Sequence, residues 1–215
     1  MSYASLRVVT QPAIEPVSLS LFKRHARIDH DSEDDLCELV YVPTARRNVE
    51  NYLGRALITQ TLSWYIADTT PGPSWPVYPM QELLVLPMVV GPLRYGHKPI
   101  EIVRSPVQSV VSVTVTNWYD DTSTLLVLGQ DYFVDLQSDP ARIRFEPSAV
   151  VHTTDGVAIT FIAGYGDTPA AVPSTIIAAI LLTATALYEH RGDDDGELPR
   201  AAQRLCDADR IYSFA

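Results

Sequence analysis

The sequence predicts an α+β fold: a helical bundle built from N- and C-terminal helices, with an antiparallel β lobe inserted between them. Apolar residues recur at helical spacing early in the chain, which is typical of an amphipathic helix. β-branched and aromatic residues interrupted by turn signals fill the middle, and a long apolar helix follows near the end. Because no helices separate the predicted strands, antiparallel pairing is favoured over a parallel α/β arrangement.

These patterns divide the chain into three regions. Residues 1–16 contain Pro12 and Pro16 and show no period, so they are predicted to be an extended N-terminal arm that orders against a neighbour. Residues 17–56 and 170–215 are assigned to the helical bundle, and residues 57–169 to the antiparallel β lobe.

Two helices are predicted before residue 56. Ser18 is placed to cap the first, and Gly54 is a suitable stop for the second. Pro43 lies inside the second helix, where it removes a backbone N–H and clashes with the carbonyl of Leu39, so we expect a kink or two shorter helices. The apolar stripe that predicts one buried face of this helix consists of Leu36, Leu39, Val40, Ala45, Val49, Tyr52 and Leu53.

The β lobe begins with a predicted strand at Leu57–Ile66. Trp75, Trp118 and Tyr119 lie in loop-like contexts, where large aromatic side chains serve either as sheet-edge packing or as contact anchors. Both interpretations stay open at this point. The further strand candidates are residues 82–86, 100–103, 107–116, 124–127, 132–136, 142–145 and 157–162.

The helix predicted from Ser174 to about Arg191, closed by Gly192, is apolar nearly all round. A small lobe can hardly cover such a helix, so we expect a neighbouring subunit to complete its burial. Pro199 to Tyr212 is predicted to be a last short helix. The inter-subunit candidates on the long helix are Ile176, Ile177, Ile180, Leu181 and Leu187.

Composition excludes several classes of function. The formal net charge of −10 disfavours a protein that grips DNA phosphates, although an acidic wall can line a passage through which DNA slides. The apolar stretch from Ile176 to Tyr188 is too short to span a bilayer, so no membrane partner is expected. Cys37 and Cys206 are far apart and are expected to pack as small apolar groups.

No motif predicts chemistry, so we expect no catalytic, cofactor-binding or metal-binding residues and no enzyme activity. The Gly164-x-Gly166 pair lacks the third glycine of a dinucleotide fingerprint. Asp193–Asp195 is interpreted as a solvated loop. The cluster of His25, Asp29, His30, Asp31 and Glu33 does not follow the calcium-loop pattern and is interpreted as helix capping and solvated turn.

Several strings resemble the head-to-tail connector (adaptor) proteins of long-tailed phages, prophages and gene transfer agents. The most specific is Gly54–Thr61, which is similar to the family's helix end and first strand. Pro43 and Ala26 depart from the family pattern, since the family continues its helix at the first position and a Leu is commoner at the second. The other similar strings are Leu19-x-x-x-Lys23-x-His25-x-Arg27-Ile28-Asp29, Pro106–Val110, Ala163–Gly166 and Tyr188–Arg191.

The resemblance implies a ring of twelve subunits at the virion neck, between the portal and a stopper or tail-completion protein, made in the host cytoplasm. DNA would pass through its lumen without sequence-specific binding. The family's C-terminal segment reaches the portal, which makes Leu205, Ile211, Tyr212 and Phe214 portal-contact candidates. Trp75, Trp118 and Tyr119 become candidates for contact with the stopper or tail.

Two alternatives share some of these features. Another virion ring, such as a tail terminator or baseplate hub, would have the same symmetry and the same lack of catalytic residues. A carbohydrate-binding β module would use Trp75, Trp118 and Tyr119 to hold its ligand.

Overall fold

The chain is an α+β protein, as predicted, with helices from both ends and strands from the middle. The computed structural model describes residues 3–67, 99–117, 122–146, 156–191 and 198–211. The chain divides into two compact units. The helical unit comprises Val8–Thr61, Val103–Ser109 and Ile162–Ala215, and the β unit comprises Met1–Arg7, Leu62–Ile102 and Val110–Phe161.

The helical unit packs its helices around one apolar core. Phe22, Val49, Ile176, Ile180 and Cys206 are fully buried there, so every long helix contributes to this core. The elements are α1 (Leu19–Ala26), α2 (Asp34–Leu36), a π-helical segment (Cys37–Tyr41), α3 (Val42–Leu53), a 3-10 turn (Pro169–Ala171), α4 (Ser174–His190) and α5 (Arg200–Cys206).

Ser18 and Gly54 act at the helix ends as expected, but the N-cap residue of α2, Glu33, makes no side-chain capping hydrogen bond, so the capping interpretation of the acidic cluster is wrong. The Ser18 Oγ accepts a hydrogen bond from the Leu21 N–H at 3.3 Å, which satisfies one of the orphan donors at the start of α1. Gly54 ends α3 in the left-handed conformation at φ +69°, and its N–H donates to the Glu50 carbonyl at 3.0 Å.

Pro43 divides the second predicted helix, as expected, and changes which face is buried. It lies in the first turn of α3, directly after the π-helical segment, where the Val42 N–H donates to the carbonyl of Cys37. The wider turn inserts one extra residue, so the α-helical register before Pro43 no longer continues after it. The expectation of one continuous buried stripe is therefore wrong: Leu36, Leu39 and Val40 are exposed.

Of the two C-terminal helices, α4 matches its predicted range and α5 is shorter than predicted. Helix α4 begins at Ser174 and ends at His190, and Arg191 adopts the left-handed conformation at φ +42°. Gly192, the predicted stop, lies outside the described residues. Helix α5 ends at Cys206, although the sequence pattern extended it to Tyr212. Within the described part of the chain, no helix is long and apolar enough to cross a bilayer.

The strands form a five-stranded sheet, in the order β1-β2-β8-β4-β5, and a three-stranded sheet, in the order β3-β7-β6. Pairing is antiparallel between β4 and β5, β3 and β7, and β6 and β7. The candidate strand at 82–86 lies outside the described residues. The strands are β1 (Tyr3–Thr10), β2 (Gln60–Ala67), β3 (Ile100–Glu101), β4 (Val107–Asn117), β5 (Thr122–Leu125), β6 (Tyr132–Asp135), β7 (Arg142–Phe145) and β8 (Gly156–Ala163).

The N-terminal arm is itself a strand of this sheet. Strand β1 pairs beside β2, so the arm is ordered by its own chain, and the expectation that it orders only against a neighbour is corrected. Leu6 and Val8 are half-buried while Arg7 and Val9 are exposed, which is the alternation of a strand covered on one face. The alternating run is too short to stand out in the sequence.

Candidate interface surfaces

Three segments that are distant in sequence meet in the helical unit. We call them the motif junction: residues 54–61, 105–109 and 163–166. The Tyr165 N–H donates to the Leu57 carbonyl at 3.0 Å, and the Gly164 N–H donates to the Pro106 carbonyl at 2.9 Å. The junction also contains bonds from Ala56 to Ser105 at 2.9 Å and from Thr59 to Gly166 at 3.1 Å. Three of the five strings that carried the resemblance are therefore neighbours in space.

Gly164 permits the close approach of two backbones at the motif junction. A Cβ at this position would lie 2.6 Å from the Ile58 carbonyl carbon and from the Thr59 nitrogen, and its φ is +139°. The Gln108 side-chain amide donates to the Gly164 carbonyl and to the Thr59 Oγ1, both at 2.9 Å. The Gly164-x-Gly166 pair is thus explained by packing.

Glu50 joins α3 to the segment that follows it. Its buried carboxylate accepts hydrogen bonds from the Leu57 N–H at 3.0 Å, the Gln60 amide at 2.9 Å and the Arg46 guanidinium at 2.8 Å. Burial raises the pKa of Glu50, while Arg46 opposes that rise. Arg46 also binds Glu15 at 2.8 Å, so the chain entering the bundle is held by the same buried guanidinium.

Arg104 closes the end of α3 from the β4 side of the motif junction. Its guanidinium donates to the Glu50 carbonyl and to the Asn51 side chain, and its own φ is +66°. Burial lowers the pKa of Arg104. A cation at the carbonyl end of a helix interacts favourably with the helix dipole, so Arg104 serves as a long-range cap for α3.

The acidic residues between α1 and α2 form ion pairs within the helical unit. Lys23 binds Asp31 at 2.5 Å and Asp34 at 2.8 Å, and its hydrogen bond lowers the pKa of Asp31. Glu33 accepts from the Arg191 guanidinium at 2.5 Å and from the Tyr188 hydroxyl at 2.9 Å, and Arg191 is the main cause of its lowered pKa. These pairs hold the turn against α1 and α4. Across the described ranges, no group of three or more potential ligands could hold a metal ion.

An exposed apolar surface begins where the π-helical segment displaces the register. Leu39 is 73% exposed, Val40 45% and Leu36 37%. An adjoining open groove of about 280 Å³ is lined by Val8, Gln11, Leu39, Pro43, Thr44, Arg46, Arg47, Glu50 and Gln60. The helical periodicity of the sequence predicted that Leu36, Leu39 and Val40 would be buried. Pro43 was the signal that the helix, and hence its stripe, is interrupted.

Comparison with known protein families identifies the chain. The model for the Phage gp6-like head-tail connector protein family matches residues 16–123, which is half of the chain. The chain belongs to this family. The matched range contains two of the three segments of the motif junction, so the family pattern and the observed packing involve the same residues. No curated protein sequence matches this connector-family chain.

Solved structures of gene transfer agent (GTA) particles contain chains with the same fold as this connector-family chain. A chain of the "Virion of native gene transfer agent (GTA) particle" has a TM-score of 0.67 at 19% identity. A chain of the "Neck of empty GTA particle computed with C6 symmetry" has a TM-score of 0.67 at 21% identity, and one of the "Neck of native GTA particle computed with C12 symmetry" has 0.62 at 19%. Each alignment covers 98% of this chain and 97% of the other, so the whole fold is shared.

The inter-subunit candidates on α4 lie against the chain's own core. Ile176, Ile180 and Leu181 are buried in it, and Ile177 and Leu187 pack partly buried against it. The connector-family chain therefore covers most of α4 itself, which corrects the expectation that a small lobe could not. Their contact with a neighbouring subunit stays a prediction. Leu182 also packs partly buried against this core, and Ala178, Thr185 and Ala186 are half-exposed.

The structure describes two of the four portal-contact candidates, Leu205 and Ile211. Leu205 is partly buried against the core, and Ile211 lies beside Gly54 and donates its N–H to the Leu53 carbonyl at 2.9 Å. Tyr212 and Phe214 lie outside the described residues of the connector-family chain, as do the stopper-contact candidates Trp75, Trp118 and Tyr119. The structure thus brings Ile211 to the end of α3.

Proposed function

We propose that this chain is a structural subunit of a head-to-tail connector ring, located at the virion neck between the portal and a stopper or tail-completion protein. The observation that carries the proposal is the match to the head-tail connector family over residues 16–123. A non-enzymatic role is part of it, with synthesis in the host bacterial cytoplasm. The exposed apolar side chains Leu36, Leu39 and Val40 support a protein whose surface is buried by assembly.

The proposed ring contains twelve copies joined by head-to-tail contacts. Support comes from the fold similarity to a chain of a GTA neck computed with C12 symmetry, which extends over 98% of this chain. A heterologous contact repeated by a fixed rotation closes into such a ring. The formal charge of −10 supports a lumen that repels phosphate, through which DNA passes without being held by sequence-specific contacts.

The proposed contact with the portal is made by the C-terminal segment, through Leu205, Ile211, Tyr212 and Phe214. The Ile211 N–H donates to the Leu53 carbonyl, so the chain is still bound to α3 at this residue. Tyr212 and Phe214 follow it directly and carry the large aromatic side chains that anchor protein interfaces. Trp75, Trp118 and Tyr119 are proposed to face the stopper or tail on the same chemical grounds.

The test must separate portal binding from folding. Deletion of residues 199–215 would not separate them, because it removes Ala202 and Cys206, which are fully buried in the core. We therefore choose the double substitution Tyr212→Ala and Phe214→Ala, with Ser213→Ala as the matched control. The expected result is a folded protein that no longer sediments with portal-bearing, tail-less heads, while the control sediments like the wild type.

Two outcomes would contradict the proposal. Sedimentation of the double variant at the wild-type level would remove the C-terminal segment from the portal contact. Particles whose necks are complete in images without this chain would overturn the connector role as a whole, and density for it at the tail tip or tail end would favour a baseplate hub or a tail terminator.

A further inference from the structure

Within the part of the chain that the structure describes, the five-stranded sheet has two open edges. Strand β5 forms one edge and β1 the other, and among the described residues no strand pairs with the outer side of either. The outer strands of an open sheet present unpaired backbone N–H and C=O groups, which a further strand can bind. The part of β1 in the β unit and the whole of β5 lie in the same compact unit.

The register of β5 shows which backbone groups are directed outward. Thr124 is opposite Val115 and Leu125 is opposite Thr114, and the Leu126 N–H donates to the Val113 carbonyl at 2.9 Å. Antiparallel pairs alternate between hydrogen-bonded and non-hydrogen-bonded, so Thr124 bonds toward β4 together with Leu126. The N–H and C=O groups of Ser123 and Leu125 therefore point away from β4.

Natural sheets often block further pairing with Lys, Pro or inward-pointing charges on their edge strands, or with very short edge strands. Of these, β5 has only its short length of four residues. Strand β5 has no charged residue and no proline, and β1 has only Arg7. The apolar side chains at and after β5 are exposed, at 65% for Leu125, 54% for Val127 and 59% for Leu128. Another strand placed here would bury them.

We propose that β5 of one subunit pairs with β1 of the next copy, so that the five-stranded sheets continue from subunit to subunit. The occupant is a second copy because one sheet presents the two complementary open edges at its opposite ends. Pairing unlike edges is a heterologous contact, which repeats around a ring, whereas pairing β5 with β5 would end at a dimer. The inference rests on the proposed ring and names one of the surfaces that close it.

Disulfide cross-linking tests this pairing directly. Leu125→Cys is combined in one chain with Ser5→Cys or with Arg7→Cys, since both β1 residues are exposed and belong to the β unit. Directly opposed residues on neighbouring strands have Cα atoms roughly 4.5–5.5 Å apart, within disulfide range. Cys37 and Cys206 are buried and free, so their contribution to the background is small. Each single-cysteine variant serves as a control.

We assemble each variant with portal-bearing heads. At least one of the two combinations should give a ladder of covalent oligomers longer than a dimer, and reductant should abolish this ladder. The Leu125→Cys control should give no ladder. A covalent dimer from Leu125→Cys alone would instead indicate β5 to β5 pairing and overturn the proposal. Absence of a ladder from both combinations, in rings that assemble normally, would also overturn it.

A second variant removes the backbone donor itself. Ser123→Pro deletes an outward N–H at an edge position where proline is tolerated in a strand. We expect ring assembly to fall by about tenfold or more, since a hydrogen bond and the strand contact are lost at each interface, with no loss of secondary structure. Ser123→Ala keeps the N–H and should assemble normally. Wild-type assembly by the proline variant would reject the edge pairing.

The outcomes also distinguish this inference from the connector role. If the wild-type protein does not attach to portal-bearing heads, the proposed function fails. If the wild type attaches and forms rings, but no ladder appears and Ser123→Pro assembles normally, only the pairing of β5 with β1 fails. A ladder linked to a different protein of the particle would assign the edge to that protein instead of a second copy.

Discussion

Replacement of Gly164 by alanine should destabilise the helical unit strongly. The added Cβ would lie 2.6 Å from backbone atoms of Ile58 and Thr59, and neither atom belongs to a side chain that can rotate away. The φ of +139° is also unfavourable for an L side chain. The two backbone segments must separate, which lengthens the hydrogen bonds of the motif junction.

The magnitude follows from two contributions. An unfavourable backbone conformation costs about 1–3 kcal/mol, and forcing an extra carbon into packed surroundings costs about 1–3 kcal/mol. We therefore expect a loss of about 3 kcal/mol in the free energy of unfolding for Gly164→Ala. For a chain of this length, that corresponds to a decrease in Tm of about 6–12 °C.

The matched control is Gly54→Ala. Gly54 lies in the same unit and also has a positive φ, at +69°, but a Cβ there would meet its nearest neighbour, Ile211, at an ordinary 3.5 Å. The Gly54→Ala variant should therefore lose only the conformational contribution to the free energy of unfolding, about 1 kcal/mol. Urea unfolding followed by circular dichroism measures both. Equal losses for the two variants would refute the steric argument.

Two further predictions concern the core and its acidic turn. Phe22→Ala should reduce the free energy of unfolding by about 3–5 kcal/mol, because it removes a fully buried ring whose centroid lies 6.3 Å from that of Tyr188. A loss below about 1 kcal/mol in urea unfolding would show that the site collapses to fill the space. The pKa of Glu33 is lowered in the folded state, so its contribution is present above the ordinary carboxyl pKa and is lost as the pH falls through the folded-state value. The wild type should therefore lose more stability than Glu33→Gln on acidification from neutral pH, and parallel stability curves against pH would contradict this.

Local patterns in the sequence were sufficient for the helices and for most strands. Capping by Ser18 and termination at Gly54 depend on side chains and backbone conformations within one turn, so both could be predicted and both are confirmed. The division of the second helix at Pro43 likewise follows from a missing N–H. The strings that resembled the connector family also led to the family itself, because each string is a short run of nearby residues that can be compared without knowledge of the fold.

The surfaces could not be predicted in the same way. Exposure of Leu39 and Val40 depends on one extra residue in a π turn, and a helical stripe drawn with a constant period cannot include it. The core position of α5 was also missed, because the fully buried Ala202 and Cys206 are small side chains that leave little hydrophobic signal.

Chain-local rules, namely propensity, periodicity and capping, sufficed to establish an α+β protein with helices at both ends. The resemblance of short strings suggested its family. Three-dimensional packing alone brought Gly164 against Ile58, covered α4 with the chain's own helices and left β1 and β5 at the edges of one sheet. The physical reason is that these contacts join residues far apart in sequence, and their free energy depends on partners that no local pattern specifies.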